Sequence, residues 1–277
     1  MTKSIAIQGY AGSFHYVAAR SYFGKAFMAI PCTTFSELVK VAGDEALSEG
    51  GCMAIENSIA GSILPNYALL EKSKLLITGE IYLQINHHLI ANKGVKLSDI
   101  REVYSHPMAL LQCINFLEKM PHWKLIEKED TASSAKYIHQ HKHQHGAAIA
   151  GSEAAELFNL NILRSNIQTY KNNYTRFLFL QRENKDQTIK ENNKASISFQ
   201  TDHSRGALAK VLTDIASHNI NLSKLQSIPI PGKVWQYIFH ADMEFDNLSD
   251  FNNAINSIRK KVGQLRIFGV YKKGLTI

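Results

Sequence analysis

A polar segment near residue 190 restricts the fold of this 277-residue chain more than any other feature of its sequence. Residues 182–194 read RENKDQTIKENNK, with seven charged residues, no aromatic residue and Ile189 as the one aliphatic residue. Such a segment buries too little apolar surface to belong to a core, so we interpret it as a linker or an exposed hairpin. We therefore predict two units, residues 1–182 and 195–277, joined by a linker at 183–194.

The first unit alternates short apolar runs with helical patterns. Strands are predicted at residues 4–8, at 52–55 and within 75–91, and a capping box formed by Thr34 and Glu37 precedes the second helix. Later apolar runs that each precede a helix lie at residues 103–104, 125–126 and 147–150. Because this alternation is typical of a parallel or mixed sheet covered by helices, we predict an α/β fold for the unit.

The second unit has a different order of elements. Residues 195–200 alternate as a strand, and the helix that follows places apolar residues at i, i+3, i+4 and i+7, namely Leu208, Val211, Leu212 and Ile215. Two strands, a second amphipathic helix and a last strand at residues 265–271 complete the order βαββαβ. That order predicts a ferredoxin-like split βαβ unit.

The charge and composition exclude several classes of protein. A net charge of +7 attracts anions, but it does not distinguish nucleic acid, lipid head groups and small carboxylates. The N-terminus lacks the apolar core of a signal peptide, and no apolar run reaches the ~20 residues of a membrane span. Three widely spaced cysteines argue against a disulfide framework. We therefore expect a cytoplasmic protein that binds neither membranes nor nucleic acid.

Small or hydroxyl residues follow several predicted strands of the first unit and open the next helix. Examples are Ser13, Ser58, Ser105, Thr131 and Ser152. In open α/β sheets ligands bind beyond the carboxyl ends of the strands, where helix N-termini favour carboxylates and phosphates. At any one of these positions, plain N-capping is the better explanation. Taken together in a basic protein, they favour a cleft for a small anion.

Two other motifs invite a chemical interpretation. The segment 173–177, NYTRF, places a hydroxyl and a bidentate cation at the start of an apolar strand, although spacing alone favours an exposed strand edge with an incidental charge. The tract 139–145, HQHKHQH, carries four histidines without an accompanying carboxylate or thiol. We interpret the tract as a solvated helix end or loop and expect no metal site there.

Several motifs in order resemble those of the prephenate dehydratase family. The matching segments are GYAGSF at 9–14, AIENSIAGSI at 54–63, YSHPMALLQC at 104–113, DTASSA at 130–135 and NYTRF. In the second unit RGALAKVL and NINLSKL resemble the regulatory ACT domain. The resemblance covers nearly the whole chain. It indicates the monofunctional form, since the first predicted strand begins almost at Met1.

The resemblance implies a fold, an activity and partners. The expected fold is a two-lobed α/β catalytic region at 1–182, built like a type II periplasmic binding protein, followed by an ACT domain at 195–277. The expected reaction converts prephenate to phenylpyruvate, water and carbon dioxide in phenylalanine biosynthesis, without a cofactor or metal. The expected assembly is a homodimer or homotetramer formed through the ACT domains, with L-phenylalanine as the possible allosteric effector.

The resemblance also assigns roles to individual residues. Carried over by motif, the catalytic residues are Asn57, Ser105, Gln112 and Thr175, and the substrate-binding residues are Arg176, Ser58 and Thr131. Thr175 would donate a proton or a strong hydrogen bond to the leaving hydroxyl. Ser105 and Gln112, seven residues apart, would project from one helix face. The effector-binding residues would be Gly206, Ala207, Leu208, Asn221 and Leu222.

The second unit departs from the family pattern. Gln226 and Ile228 stand where the family's effector motif has glutamate and arginine, so the ACT domain could serve another effector or oligomerisation alone. Two alternatives to the main function also remain at this point. One is an arogenate dehydratase, which would act on the amine counterpart of prephenate. The other is a non-catalytic protein that binds an amino acid or a carboxylate.

Overall fold

The computed structural model describes residues 3–182, 191–202, 204–230 and 232–277. Most of the expected linker, at 183–190, lies outside the described residues. The strands are β1 Lys3–Gln8, β2 Phe27–Cys32, β3 Gly50–Asn57, β4 Gly61–Ser62, β5 Leu76–Gln84, β6 His88–Ala91, β7 Glu102–Ser105, β8 Lys124–Glu127, β9 Gly146–Ala150, β10 Asn161–Arg164, β11 Tyr174–Gln181, β12 Lys194–Gln200, β13 Asn221–Pro229, β14 Tyr237–Glu244 and β15 Leu265–Tyr271. The helices are α1 Phe14–Phe23, α2 Phe35–Gly43, α3 Leu64–Lys72, α4 Pro107–Gln112, α5 Ile114–Leu117, α6 Thr131–Gln140, α7 Ser152–Leu157, α8 Ala207–Ser217 and α9 Leu248–Ile258.

The first lobe is built on the sheet β2-β1-β3-β11-β5, to which the short β4 adds beside β3. Strands β1, β2 and β3 are parallel, whereas β11 runs antiparallel between β3 and β5. Both faces of β1 are buried, because Ile5 and Ile7 pack in one apolar cluster and Ala6 packs in another on the opposite face. Helices α1 and α2 therefore cover opposite sides of this sheet.

The second lobe is built on the sheet β10-β6-β9-β7-β8, with α4 to α7 around it. The chain passes between the lobes twice, through residues 85–87 after β5 and through residues 165–173 before β11. The expected division of the first unit into two lobes therefore appears as two sheets joined by two crossovers.

The C-terminal sheet has the order β13-β14-β12-β15, and all its neighbouring strands are antiparallel. Its elements follow the predicted order βαββαβ, which is confirmed. One face packs on α8 and α9, where Ile197 and Phe199 of β12 share an apolar cluster with Val211 of α8. The other face packs on the first lobe, where Phe268 and Tyr271 join the cluster that contains Ile77. The polar side chains that alternate along β12 therefore face the first lobe rather than water.

Four details of the chain differ from the sequence-based predictions. Strand β2 was not predicted, because it contains Pro31; proline is tolerated there since β2 is an edge strand. Strand β10 was also not predicted. Residues 75–91, predicted as one or two long strands, form two, and the new detail is that they belong to different sheets. Lys194, the last residue of the expected linker, begins β12 and is buried.

Two further findings concern side chains and membrane segments. Thr34 caps α2 as predicted, by accepting from the amide of Glu37, but the Glu37 carboxylate accepts from Thr33 rather than from Thr34. Within the described ranges, every helix is too short or too polar to cross a bilayer.

Candidate functional site

A cleft of about 350 Å³ lies between the two lobes. The first lobe contributes Ser13, Asn57 and Thr175, and the second contributes Gln112 and Thr131. Much of the remaining wall is apolar or aromatic and includes Phe14, Phe35, Ile63, Ile85, Met108 and Phe177. The cleft therefore combines a small set of polar side chains with a largely apolar wall, which is the usual composition of a small-molecule site.

Asn57 and Thr175 lie opposite each other on β3 and β11, and their side chains are in contact. The Asn57 Oδ1 atom accepts from the amides of Ile59 and Ala60 at 3.0 and 2.9 Å, which fixes the orientation of its carboxamide. Its Nδ2 atom then lies 3.0 Å from Thr175 Oγ1. An amide nitrogen donates and does not accept, so the hydroxyl hydrogen of Thr175 cannot point to Asn57.

Gln112 ends α4 and reaches the same network from the second lobe. Its Oε1 atom accepts from Asn173 Nδ2 at 2.9 Å, and its Nε2 atom lies 3.4 Å from Asn57 Oδ1. Asn173 in turn accepts from Asn57 Nδ2 at 2.7 Å. Three of the four residues predicted to be catalytic, Asn57, Gln112 and Thr175, therefore meet in one network of side-chain hydrogen bonds.

Ser105 does not line this cleft with them. It ends β7 and is fully buried, and its hydroxyl donates to the carbonyl of Ile149 at 2.6 Å. The predicted helix that would carry both Ser105 and Gln112 begins only at Pro107, so the prediction of a shared helix face is wrong. The Ser105 hydroxyl instead ties β7 to β9 behind the cleft.

Arg176 lies on the opposite side of β11 from the cleft. Successive side chains of a strand point to opposite faces, and since Thr175 and Phe177 line the cleft, Arg176 points away from it. Its buried guanidinium donates to Glu80 at 2.7 Å and to Asp242 of the C-terminal sheet. The prediction that Arg176 binds substrate in the cleft is therefore wrong.

The other two residues predicted to bind substrate have different positions. Thr131 lines the cleft at the start of α6, next to Asp130, which caps that helix. Ser58 accepts from the amide of Tyr174 at 2.9 Å and donates to the carbonyl of Asn172 at 3.2 Å. Ser58 therefore holds the loop before β11 and does not line the cleft.

The charges of the cleft are unusual for an anion site. Among the described residues that line it, Glu129 and Asp130 are acidic and none is lysine or arginine. Burial lowers the pKa of His15 to about 3 and that of His87 to about 4, so both are neutral at pH 7. Burial also raises the pKa of Asp130. Positive potential then comes from helix N-termini such as that of α1, whose first amides, at Phe14 and His15, have no preceding turn to accept them.

Several polar residues of the site were missed by sequence reasoning. His87 and Asn173 both bond Gln112, and His15 accepts from the amide of Ala54 at 3.3 Å. Asn173 could have been identified from the sequence, because it opens the NYTRF motif. The sequence carries no periodic signal for His87, because it lies in the crossover between two strands.

The histidine tract has the predicted position. His139 lies in the last turn of α6, His141 caps it, and His143 and His145 lie in the following loop. In the described part of the chain, no three histidine, cysteine or acidic side chains are grouped so that they could hold a metal ion.

The predicted effector residues form two separate groups. Gly206, which is in the left-handed region at φ 77°, precedes α8, and Ala207 and Leu208 begin it. Asn221 and Leu222 begin β13, four residues after the end of α8. An 11-residue helix rises about 16 Å, so the two groups lie at opposite ends of α8 within one chain.

Comparisons with known proteins agree with this arrangement. The family model described as "Prephenate dehydratase" matches residues 5–185. The chain is 35% identical to "Arogenate dehydratase/prephenate dehydratase 2" of Arabidopsis thaliana over 99% of this chain and 74% of that protein. Prephenate dehydratase from Arthrobacter aurescens, solved in complex with L-Phe, is 26% identical with a TM-score of 0.85, covering 97% of this chain and 90% of that one.

A further solved structure is described as GqqA, a novel type of quorum quenching acylase. It is 28% identical with a TM-score of 0.86, over 98% of both chains. The fold is therefore shared by relatives with different described activities, whereas the family match covers the whole two-lobed region that contains the cleft. The chain belongs to the prephenate dehydratase family.

Proposed function

We propose that this chain is a prephenate dehydratase, which converts prephenate to phenylpyruvate, water and carbon dioxide in the cleft between its two lobes. The observation that carries the proposal is the contact between Asn57 and Thr175. Thr175 Oγ1 accepts a hydrogen bond from Asn57 Nδ2, so the hydroxyl hydrogen of Thr175 remains to donate to a ligand. No acceptor for it is present among the described residues.

The reaction needs that donor at one position. The bond between the ring and its carboxylate breaks and releases carbon dioxide, its electron pair enters the ring, and the ring hydroxyl leaves as the ring becomes aromatic. Thr175 would donate to the departing oxygen, and the proton that completes water would be replaced from solvent. A positioned proton donor contributes about 10²–10⁴-fold to such a step.

The described lining of the cleft contains no lysine or arginine, which suits a carboxylate that must lose its charge. A close lysine or arginine would stabilise the starting carboxylate more than the neutral carbon dioxide that forms. Amide groups and the N-terminus of α1 bind anions more weakly and without a formal charge. We therefore assign substrate orientation to Asn57, Gln112 and Thr131, and a supporting role behind the cleft to Ser105 and Ser58.

The structural relative described as an acylase suggests acyl transfer as a second function. Acyl transfer needs a nucleophile activated by a neighbouring base. The partner of Thr175 Oγ1 is an amide donor, Asn57 Nδ2, and this contact does not withdraw the hydroxyl proton. The geometry therefore favours a hydroxyl that acts as a donor.

We assign residues 1–182 to the catalytic region, which would be of the type II periplasmic-binding-protein class. We assign residues 183–193 to a linker and residues 194–277, which begin with β12, to an ACT regulatory domain. The two groups of effector residues are separated by the length of α8, so one chain does not complete a pocket. An effector site would form where Gly206 of one copy meets Asn221 of another, in a homodimer or homotetramer. The relative solved with L-Phe supports phenylalanine as the effector.

The three cysteines support a cytoplasmic location. Cys32, Cys52 and Cys113 are buried and unpaired in the structure. Free cysteines are typical of proteins that fold in a reducing compartment.

One set of assays tests the proposed function. Purified protein incubated with prephenate should form phenylpyruvate, read by its absorbance in alkali, faster than prephenate alone at the same pH. Arogenate should give phenylalanine more slowly. An N-acyl amine should release no free amine. Absence of phenylpyruvate, or release of amine from the acylated substrate alone, would contradict the proposal.

Calorimetry tests the effector assignment. Phenylalanine is expected to bind with a larger heat than tyrosine or tryptophan, and Asn221→Ala is expected to abolish that heat. If none of the three amino acids binds, the C-terminal domain is an oligomerisation module.

A further inference from the structure

We propose that His87 is a positioning residue for the reaction: as a neutral donor from Nε2, it holds the carboxamide of Gln112 with its nitrogen directed to the substrate. This inference rests on the proposed function of the cleft. His87 is not part of any motif used to identify the family, and it lies in residues 85–87, the first crossover between the lobes.

The direction of every hydrogen bond in the network follows from two backbone amides. Because Ile59 and Ala60 donate to Asn57 Oδ1, Asn57 Nδ2 must face Asn173 Oδ1, which it approaches to 2.7 Å. The Nδ2 atom of Asn173 then donates to Gln112 Oε1 at 2.9 Å. Gln112 therefore presents its oxygen to Asn173. Its Nε2 atom donates one hydrogen to Asn57 Oδ1 at 3.4 Å and keeps the other for a ligand.

His87 bonds the same oxygen. Its Nε2 atom lies 2.9 Å from Gln112 Oε1, and since that oxygen is an acceptor, His87 must carry its hydrogen on Nε2. Its Nδ1 atom is buried and has no partner among the described residues. A second proton on Nδ1 would therefore be buried without an acceptor, which favours the neutral ring.

The surroundings of His87 support a positioning role rather than proton transfer. The side chain is 2% exposed, and the ring of Phe14 stands edge-on to it at 5.5 Å between centroids. Burial lowers the pKa of His87 to about 4. At pH 7 the ring can give Gln112 a hydrogen bond, but it supplies no charge to the cleft.

The two donors to Gln112 also come from both connections between the lobes. His87 ends the first crossover, and Asn173 ends the second, directly before β11. Gln112 belongs to the second lobe, whereas Asn57 and Thr175 belong to the first. A change in the angle between the lobes would therefore alter the direction of the Gln112 carboxamide.

A double-mutant cycle tests the inference on catalysis. We expect His87→Leu to lower kcat about tenfold, the loss that corresponds to one buried hydrogen bond. His87→Gln places an amide hydrogen near the Nε2 position and should stay within threefold of the wild-type kcat, whereas His87→Asn, whose amide ends near Nδ1, should not. In a Gln112→Ala background, His87→Leu should change kcat less than twofold.

Other outcomes would overturn the proposal. A tenfold loss that persists in the Gln112→Ala background would show that His87 acts independently of Gln112. His87→Gln could also fail to keep kcat near the wild-type value while its midpoint of urea unfolding is unchanged. That result would show that a hydrogen-bond donor to Gln112 is not what turnover requires.

A spectroscopic measurement on the wild-type chain does not depend on activity. With ¹⁵N-labelled histidine, assigned by comparison with His87→Gln, the ring should give the shifts of the neutral Nε2–H tautomer at pH 7. An Nδ1–H tautomer or an imidazolium would contradict the proposal even if prephenate is turned over. If the tautomer is as expected and prephenate is not consumed, the proposed function fails while the orientation of Gln112 stands.

Discussion

The guanidinium of Arg176 in the first lobe bonds the carboxylate of Asp242 in the C-terminal sheet. Arg176 directly follows Thr175, so the residue next to the proposed proton donor is tied to the other unit of the chain. Glu80 accepts from Arg176 at 2.7 Å and from Lys194 at 2.9 Å, which places two cations and two anions in one buried cluster. Although burial opposes it, Arg176 holds the pKa of Asp242 below its usual value.

Replacing Asp242 with asparagine should destabilise the fold strongly. Removing one partner of a buried ion pair leaves the other charge uncompensated, at a cost of about 3–5 kcal/mol. Urea unfolding at pH 7 measures this loss. The control is Glu191→Gln, which breaks an exposed pair with Lys272 and should cost under about 1 kcal/mol. Equal losses for the two variants would contradict the assigned role of the cluster.

Gly269→Ala should loosen the packing of the C-terminal sheet on the first lobe. A Cβ atom at Gly269 would lie 2.0 Å from the carbonyl oxygen of Ile77, so the backbone of β15 must move. We expect a loss of about 1–3 kcal/mol in unfolding free energy. Gly43→Ala, at the end of α2 with open space around it, should be neutral or stabilising. If Gly269→Ala is as stable as Gly43→Ala, the close contact is absent in solution.

Glu153→Gln should weaken substrate binding more than turnover. Arg20 on α1 and Glu153 on α7 form a bidentate pair between the lobes, with one contact of 2.7 Å. A partly exposed pair contributes up to about 1 kcal/mol, so KM should rise by at most about fivefold with kcat nearly unchanged. Glu118→Gln, an exposed change of the same charge on the second lobe, is the control. A fall in kcat without a change in KM would contradict this expectation.

Stability should fall as the pH is lowered from 7 to 5. Burial lowers the pKa of His15 to about 3 and the pKa values of His87 and His240 to about 4, against about 6.5 in an unfolded chain. The unfolded state therefore binds protons that the folded state does not, and each histidine removes up to about 1.4 kcal/mol per pH unit below pH 6.5.

Unfolding free energies at pH 7.5, 6.5 and 5.5 measure this slope. His240→Gln should reduce it by the contribution of one proton. A wild-type stability that stays constant over this range would contradict the neutral state of these three side chains.

Most elements of the fold could be predicted, because their patterns are local. The period of apolar residues located β1, β3, α8 and α9, and the order βαββαβ followed from it. Strand β2 could not be predicted, since Pro31 weakens a strand signal unless the strand is known to lie at an edge. The sequence also left open whether residues 75–91 form one strand or two, because the apolar character of that segment continues from one sheet into the next.

The site was predicted only in part, for a physical reason. A motif names residues, but the side of a strand on which each side chain lies depends on which face is covered. Thr175 and Arg176 are adjacent in one motif, and strand alternation sends one to the cleft and the other to the C-terminal sheet. The partners of Asn57 and Gln112 come from distant crossovers, and such contacts leave no periodic signal in a single sequence.

The most direct test of the account is the turnover of prephenate by Thr175→Val compared with Thr175→Ser. Valine keeps the shape of threonine without its hydroxyl, so kcat should fall at least about 100-fold, the lower range for a lost proton donor. Serine keeps the donor and should stay within about tenfold of the wild-type kcat, and both variants should unfold at the wild-type urea midpoint. Near-normal turnover by Thr175→Val would contradict the account.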